Sequence, residues 1–192
     1  MRKYIILNGP PKSGKDTIGQ AIHAQLTFRG LNSVKEKFAA PIKDAVQAFI
    51  GLNDELRSIY FENPLMKDHE SKYFFGLTPR QVLISFSEEW VKPKFGKQAF
   101  GELLKQRTED LPQDVVVVTD CGFDEELEPF DKTEIAVIRL HRAGCDYRND
   151  SRGYITRDDI LAFDVDNNDE PEYIALNIIK RLIKEGFLNV AV

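Results

Sequence analysis

The chain has 192 residues, of which 42% are hydrophobic, with a formal net charge of −5 and only two cysteines. That length and apolar content suit one buried core without a Pro/Gly/Ser linker, and the acidic balance argues against a partner that is bound through a nucleic-acid backbone. Cys121 and Cys145 are too few for a disulfide framework or a metal cluster, and no run reaches the about 20 apolar residues that cross a bilayer.

Residues 3–8 form a continuous apolar stretch, expected as a first strand at the centre of a parallel sheet covered on both faces. Gly9-Pro10-Pro11-Lys12-Ser13-Gly14-Lys15-Asp16-Thr17 follows at once, and Ile18, Ile22 and Leu26 then repeat at helical spacing up to Gly30. Residues 33–38 read as a short second strand, and Pro41 opens a helix with Ile42, Val46 and Ile50 on one face. From residue 52 to 76 the pattern breaks into short helices and loop.

Thr78-Pro79-Arg80-Gln81 is a helix start that introduces Val82, Phe86 and Trp90 at helical spacing, and another helix is expected over 98–108. Val115-Val116-Val117-Val118 is the strongest strand signal, within a strand over 114–119 that ends at Asp120, where ligands meet such sheets. Strands over 134–141 and 161–165 and an amphipathic helix over 172–184 complete the chain. Alternating strands and helices predict an α/β fold, a three-layer doubly wound parallel sheet.

The loop from Gly9 to Thr17 is the spacing that grips phosphate. Gly9 and Gly14 let the backbone approach an anion, the amides of Lys12, Ser13 and the following helix start point at it, and Lys15 brings a mobile charge to the β- and γ-phosphates. The position after the lysine, where a hydroxyl usually meets magnesium, is Asp16, with Thr17 one residue late. A carboxylate there needs either a cation between it and the phosphates or an orientation toward the acceptor.

Three other constellations bear charge. Lys43 and Asp44 stand at a helix start, which is equally the pattern of an ordinary solvated turn. Arg80 and Glu89, nine residues apart, are expected along one side of a helix, as a surface pair or as a substrate clamp. The segment 142–157 holds four arginines without apolar periodicity, which suits either a loop closing over a triphosphate or a solvated loop balancing its own aspartates.

These motifs, in this order, resemble the deoxynucleoside monophosphate kinases of bacteriophages, within the adenylate-kinase-like P-loop kinases. The resemblance rests on Gly14-Lys15-Asp16-Thr17, Pro41-Ile42-Lys43-Asp44-Ala45, the Arg80 helix ending in Glu89, Val117-Val118-Thr119-Asp120 and Asp166-Asn167-Asn168-Asp169. One difference is Cys121-Gly122-Phe123, where that family often carries an arginine soon after the strand aspartate. The resemblance implies a P-loop NTPase fold of the nucleoside monophosphate kinase type, using ATP and Mg2+ in a single domain over 1–192. An acceptor-binding helical segment at about 40–110 and an arginine lid at about 142–157 belong to that picture.

It further implies Lys15 and the loop amides on the donor phosphates, Thr17 near the α-phosphate, and Asp16 and Asp120 in the magnesium shell or orienting the acceptor. Lys43 and Arg80 would take the acceptor phosphate, and Glu89 its sugar or base. Arg142, Arg148 and Arg152 would hold the transferring group, and Asn167 and Asn168 would border adenine or serve as capping turn residues. The expected partner is a nucleoside monophosphate, not nucleic acid or membrane, in the host cytoplasm for a phage enzyme, with a homodimer left open. A kinase for another small acceptor such as dephospho-coenzyme A, or a non-catalytic nucleotide binder, are the alternatives.

Overall fold

A computed structural model describes residues 1–63, 65–148 and 150–189. Asn149, inside the expected lid, and the last three residues of the expected domain lie outside the described residues. Contacts divide the chain into two units, Met1–Phe38 with Gly101–Val192, and Ala39–Phe100.

The first unit is built on five parallel strands, β1 (Lys3–Asn8), β2 (Ser33–Glu36), β3 (Val115–Cys121), β4 (Ile135–His141) and β5 (Leu161–Asp166), in the order β2-β3-β1-β4-β5. The strand that feeds the glycine-rich loop is therefore central, flanked by β3 and β4. Alternate residues of the strands face opposite layers. Ile5, Leu7, Val115, Val117, Ala136 and Ile138 pack with Ile18, Ile22 and Leu26 of α1 (Lys15–Phe28) and with Ile174, Ile178 and Leu182 of the final helix, Pro171–Lys184. On the other face Tyr4 joins its hydroxyl to Thr108 Oγ1 at 2.8 Å and its ring to Phe130. Both faces being covered explains why β1, β3 and β4 read as unbroken apolar runs.

β3 carries one residue more than β1 near its end. Ile6 pairs with Val118 but Asn8 with Cys121, a bulge that re-aims Thr119 and Asp120 at the carboxyl edge of the sheet. β2 is shorter than the expected 33–38: the chain leaves the sheet after Glu36, and Lys37 and the Phe38 amide turn to Asp16 and Asp120 instead.

The second unit holds α2 (Ala40–Ile50), α3 (Asp54–Phe61), α4 (Pro79–Ser85) and α5 (Lys92–Phe95), around Val46, Leu52, Tyr60, Phe61 and Phe74. The broken pattern over 52–76 becomes α3 and two single turns of tighter helix, Met66–Asp68 and Lys72–Phe74. Thr78 and Gln81 form the expected reciprocal cap of α4. The helix then departs from expectation, widening into a π-helical stretch at Phe86–Val91 before α5. Pro93 explains this: it has no N–H to give the carbonyl four residues back and its ring crowds that carbonyl, so the turns upstream open. Helix α6 (Ala99–Thr108) spans the boundary in sequence, and the final helix is α7.

Arg80 and Glu89 consequently do not share one side of a regular helix. Nine residues of α-helix make about two and a half turns, which points them apart, and the π stretch changes the rotation again.

Candidate active site

At the carboxyl end of β1 the chain turns through Lys12 and Gly14, whose φ angles are 66° and 91°, and Gly14 caps α1 by accepting the Ile18 amide at 2.9 Å. Left-handed residues within such a turn direct successive N–H groups into a concavity, and the first turn of α1 adds amides that have no partner within the helix. Gly14 is required twice over, by its φ and because a Cβ there would overlap Nδ2 of Asn167. The Asn167 amide is buried and donates to the Ser13 carbonyl at 2.6 Å, fastening the loop from the β5 side.

Lys15 folds back over the loop, donating to the carbonyls of Gly9 at 2.6 Å and Pro10 at 2.8 Å. Burial, helped by the charge of Arg152, pushes its ammonium down to about 8, against the opposing pull of Asp16, Asp120 and Asp150. A bound polyanion would raise that value again, which sets the sign of a pH dependence. Affinity for an unreactive ATP analogue is expected to be constant below about pH 8 and to fall above it by up to about tenfold per pH unit, with proton uptake on binding. Titration calorimetry at pH 8.5 in two buffers of different ionisation enthalpy measures that proton directly.

Asp16 accepts from Thr119 Oγ1 at 2.7 Å and faces Lys37 Nζ at 3.1 Å, and Asp120 accepts the Phe38 amide at 2.8 Å. Among the described residues no group of three or more His, Cys, Asp or Glu side chains forms a metal cluster. The two carboxylates still fit magnesium, which is commonly held by one or two carboxylates with phosphate oxygens and water completing the shell.

The arginine segment is tied to the rest of its own unit at several points. Gly153 gives its amide to the Gly122 carbonyl at 3.1 Å, the Tyr154 hydroxyl meets the Leu140 carbonyl at 3.2 Å, and Thr156 donates through its amide and hydroxyl to Asp124. Arg142 and Arg152 lie at the glycine-rich loop: Nη1 of Arg142 is 3.5 Å from where a Gly14 Cβ would stand, and Arg152 is close enough to Lys15 to depress its basicity. Arg152 is bidentate to Asp150, at 2.8 and 2.6 Å, and its stem lies across Gly122, where any Cβ would collide with it. Arg148 instead points to solvent, 86% exposed and paired with Asp146.

Asn168 is exposed and its Oδ1 faces the Ala143 amide at 3.4 Å, while the N-cap of α7 is Glu170, so neither asparagine caps that helix. In the second unit Lys43 is buried against Glu62 at 2.6 Å, Arg80 pairs with Asp68 at 2.6 Å, and Glu89 is exposed on the π-helical stretch.

Sequence reasoning overlooked Lys37, Thr119 and Asn8. Asn8 had a signal, an amide closing an apolar strand next to the glycine loop; Lys37 and Thr119 had none, because only the β2 ending and the β3 bulge aim them.

No family model matches the chain, and no curated protein sequence matches it. Solved structures do. A sugar kinase from Janibacter sp. superposes with a TM-score of 0.51 at 13% identity, over 98% of this chain and 99% of that one. A shikimate kinase from Aquifex aeolicus gives 0.45 at 15% identity over 97% and 99%, and a gluconokinase from Sinorhizobium meliloti 0.44 at 17% over 97% and 98%. At such identities the likeness is one of architecture: the chain shares with the Janibacter sugar kinase an α/β fold built on a parallel sheet with flanking helices.

Proposed function

We propose that this chain is a kinase that transfers the γ-phosphoryl group of ATP to a small acceptor, and that the acceptor is the phosphate of a deoxynucleoside monophosphate. The observation that carries the reading is the gathering of Lys15, Arg142 and Arg152 around a glycine loop at the carboxyl end of the central strand, with two carboxylates beside it.

Phosphoryl transfer asks the protein for position and charge more than for covalent chemistry. Lys15 and the loop amides neutralise the donor phosphates, and Arg142 and Arg152 meet the charge on the transferring group in two-pronged geometry. Asp16 and Asp120 are the groups that would hold magnesium, which, when bound, supplies further neutralisation of the phosphate oxygens. A phosphate acceptor is already a nucleophile at neutral pH, so no side chain has to activate it.

Lys43 and Arg80 are the acceptor-phosphate cations of this reading, each held ready by a carboxylate, Glu62 or Asp68, within their own unit. Arg80→Ala is expected to raise KM for the acceptor by about tenfold, the scale of one hydrogen-bonded charge pair, and to leave KM for ATP within about twofold. A rise confined to KM for ATP would remove Arg80 from the acceptor pocket.

A second reading, transfer to the hydroxyl of a sugar-like acceptor, is favoured by the fold shared with the Janibacter sugar kinase. It needs a general base, for which Asp16 or Asp120 is available. A panel of nucleoside monophosphates, dephospho-coenzyme A and sugars incubated with ATP and magnesium separates the readings by product. ATP binding without any phosphorylated product would refute both in favour of a non-catalytic nucleotide binder.

A further inference from the structure

Asn8 is the last residue of β1, and its side chain is completely buried. An amide there interrupts an apolar strand, so its polar atoms must find partners inside the protein. The partners lie on two other segments. Nδ2 faces the Cys121 carbonyl at 3.0 Å, the Gly153 carbonyl at 3.0 Å and the Tyr147 hydroxyl at 3.1 Å, and Oδ1 accepts the Ile155 amide at 3.0 Å. Cys121 ends β3 next to Asp120. Tyr147, Gly153 and Ile155 bracket Arg152 on both sides. Burial pushes the Tyr147 hydroxyl pKa upward, so it stays a neutral phenol, and its oxygen shares with the two carbonyls the two N–H hydrogens that the amide has to give.

We propose that Asn8 is a positioning residue: by clamping Tyr147, Gly153 and Ile155 to the ends of β1 and β3, it fixes Arg152 beside Lys15 before any ligand arrives. A primary amide suits the post because it donates to two carbonyls and accepts from an N–H at one point; a carboxylate of the same shape has no N–H to give, and leucine offers neither. The benefit is preorganisation. A guanidinium held in place need not be ordered at each turnover, whereas one on an unclamped loop would have to be.

What Arg152 does in this proposal rests on the kinase reading above; the clamp itself does not. The experiment therefore has two arms, on the parent protein, Asn8→Ala, Arg152→Ala, their combination, and Tyr147→Phe. In the kinetic arm Asn8→Ala is expected to lower kcat by about tenfold with KM for ATP within about threefold, and the double variant to match Arg152→Ala within about twofold, since residues acting as one unit are not additive. Independent effects that multiply would overturn the positioning role.

In the second arm, hydrogen exchange over residues 150–157 without nucleotide is expected to accelerate by about tenfold or more in Asn8→Ala, while α7 exchanges as in the parent. Unchanged exchange over 150–157 would overturn the clamp. A parent protein inactive on every acceptor would sink the kinase reading and leave this arm to decide alone. Should Asn8→Ala fail to fold, Tyr147→Phe, which removes one hydroxyl, is expected to lower kcat by about threefold and to add nothing to Arg152→Ala; multiplication of the two effects overturns the proposal.

Discussion

Replacing Lys15 with alanine is expected to lower the rate of phosphoryl transfer by about 10³-fold while the protein remains folded, the loss typical of one preorganised charge or donor in a water-poor site. The ammonium already lies across the glycine-rich loop, 2.6 and 2.8 Å from the carbonyls of Gly9 and Pro10, so in the proposed reaction its charge is in place before the donor binds. Lys15→Arg is not expected to rescue the rate, because a planar guanidinium cannot rest on the same two carbonyls as a compact ammonium does. Steady-state kinetics of both variants, with circular dichroism as the check on folding, measure this.

Stability should move the other way. The folded value of Lys15, about 8, lies below its unfolded value of 10.5, so holding the ammonium opposes folding. That penalty is fully present below about pH 8 and disappears as pH rises past the unfolded value. Lys15→Met, which keeps the aliphatic stem, is accordingly expected to melt no lower than the parent at pH 7. The parent should gain on it between pH 8 and 10.5. A loss of transfer accompanied by a large fall in melting temperature at pH 7 would show that the lysine supports the loop instead of serving the donor.

The architecture was largely legible in the chain because its strands are buried on both faces, and unbroken runs such as Tyr4-Ile5-Ile6-Leu7 and Val115-Val116-Val117-Val118 fit few other environments. The glycine-rich turn after β1 was legible for a local reason: its glycines and lysine stand within nine consecutive residues. What could not be read depends on distant partners. The pair of Asp16 with Thr119 exists because β3 bulges, and that of Asp16 with Lys37 because β2 stops at Glu36, and neither event leaves a composition signal. Pro93 did carry a signal for the widened helix at Phe86–Val91, but its effect falls upstream of itself, on residues whose own spacing looks regular.

The arginine loop shows the same limit more sharply. Composition treats Arg142, Arg148, Arg152 and Arg157 alike, yet their surroundings separate them: Arg157 pairs with Asp159, Arg148 stands in solvent with Asp146, and Arg152 lies over Gly122 with both carboxylate oxygens of Asp150 on its guanidinium. A glycine at 122 is what admits the Arg152 stem, so the residue that looked like a gap in the pattern after Asp120 is the floor on which an arginine from elsewhere in the chain rests.

Arg152→Ala is therefore expected to lower kcat by about 10²- to 10³-fold with KM for ATP changed by no more than about threefold, because an arginine that meets charge growing on the transferring group acts in the transition state more than in the ground state. Arg152→Lys should recover little, since one ammonium cannot offer two parallel donors. Arg148→Ala is the internal control: an exposed pair with a neighbour two residues away contributes little, and kcat is expected to stay within about twofold. Gly122→Ala should imitate Arg152→Ala in direction without removing any charge, because the new methyl group would collide with the Arg152 stem and displace the guanidinium. Should Arg148→Ala instead cost as much as Arg152→Ala, the loop must rearrange around the donor, and the division of labour drawn from Asp146, Asp150 and Gly122 would fail.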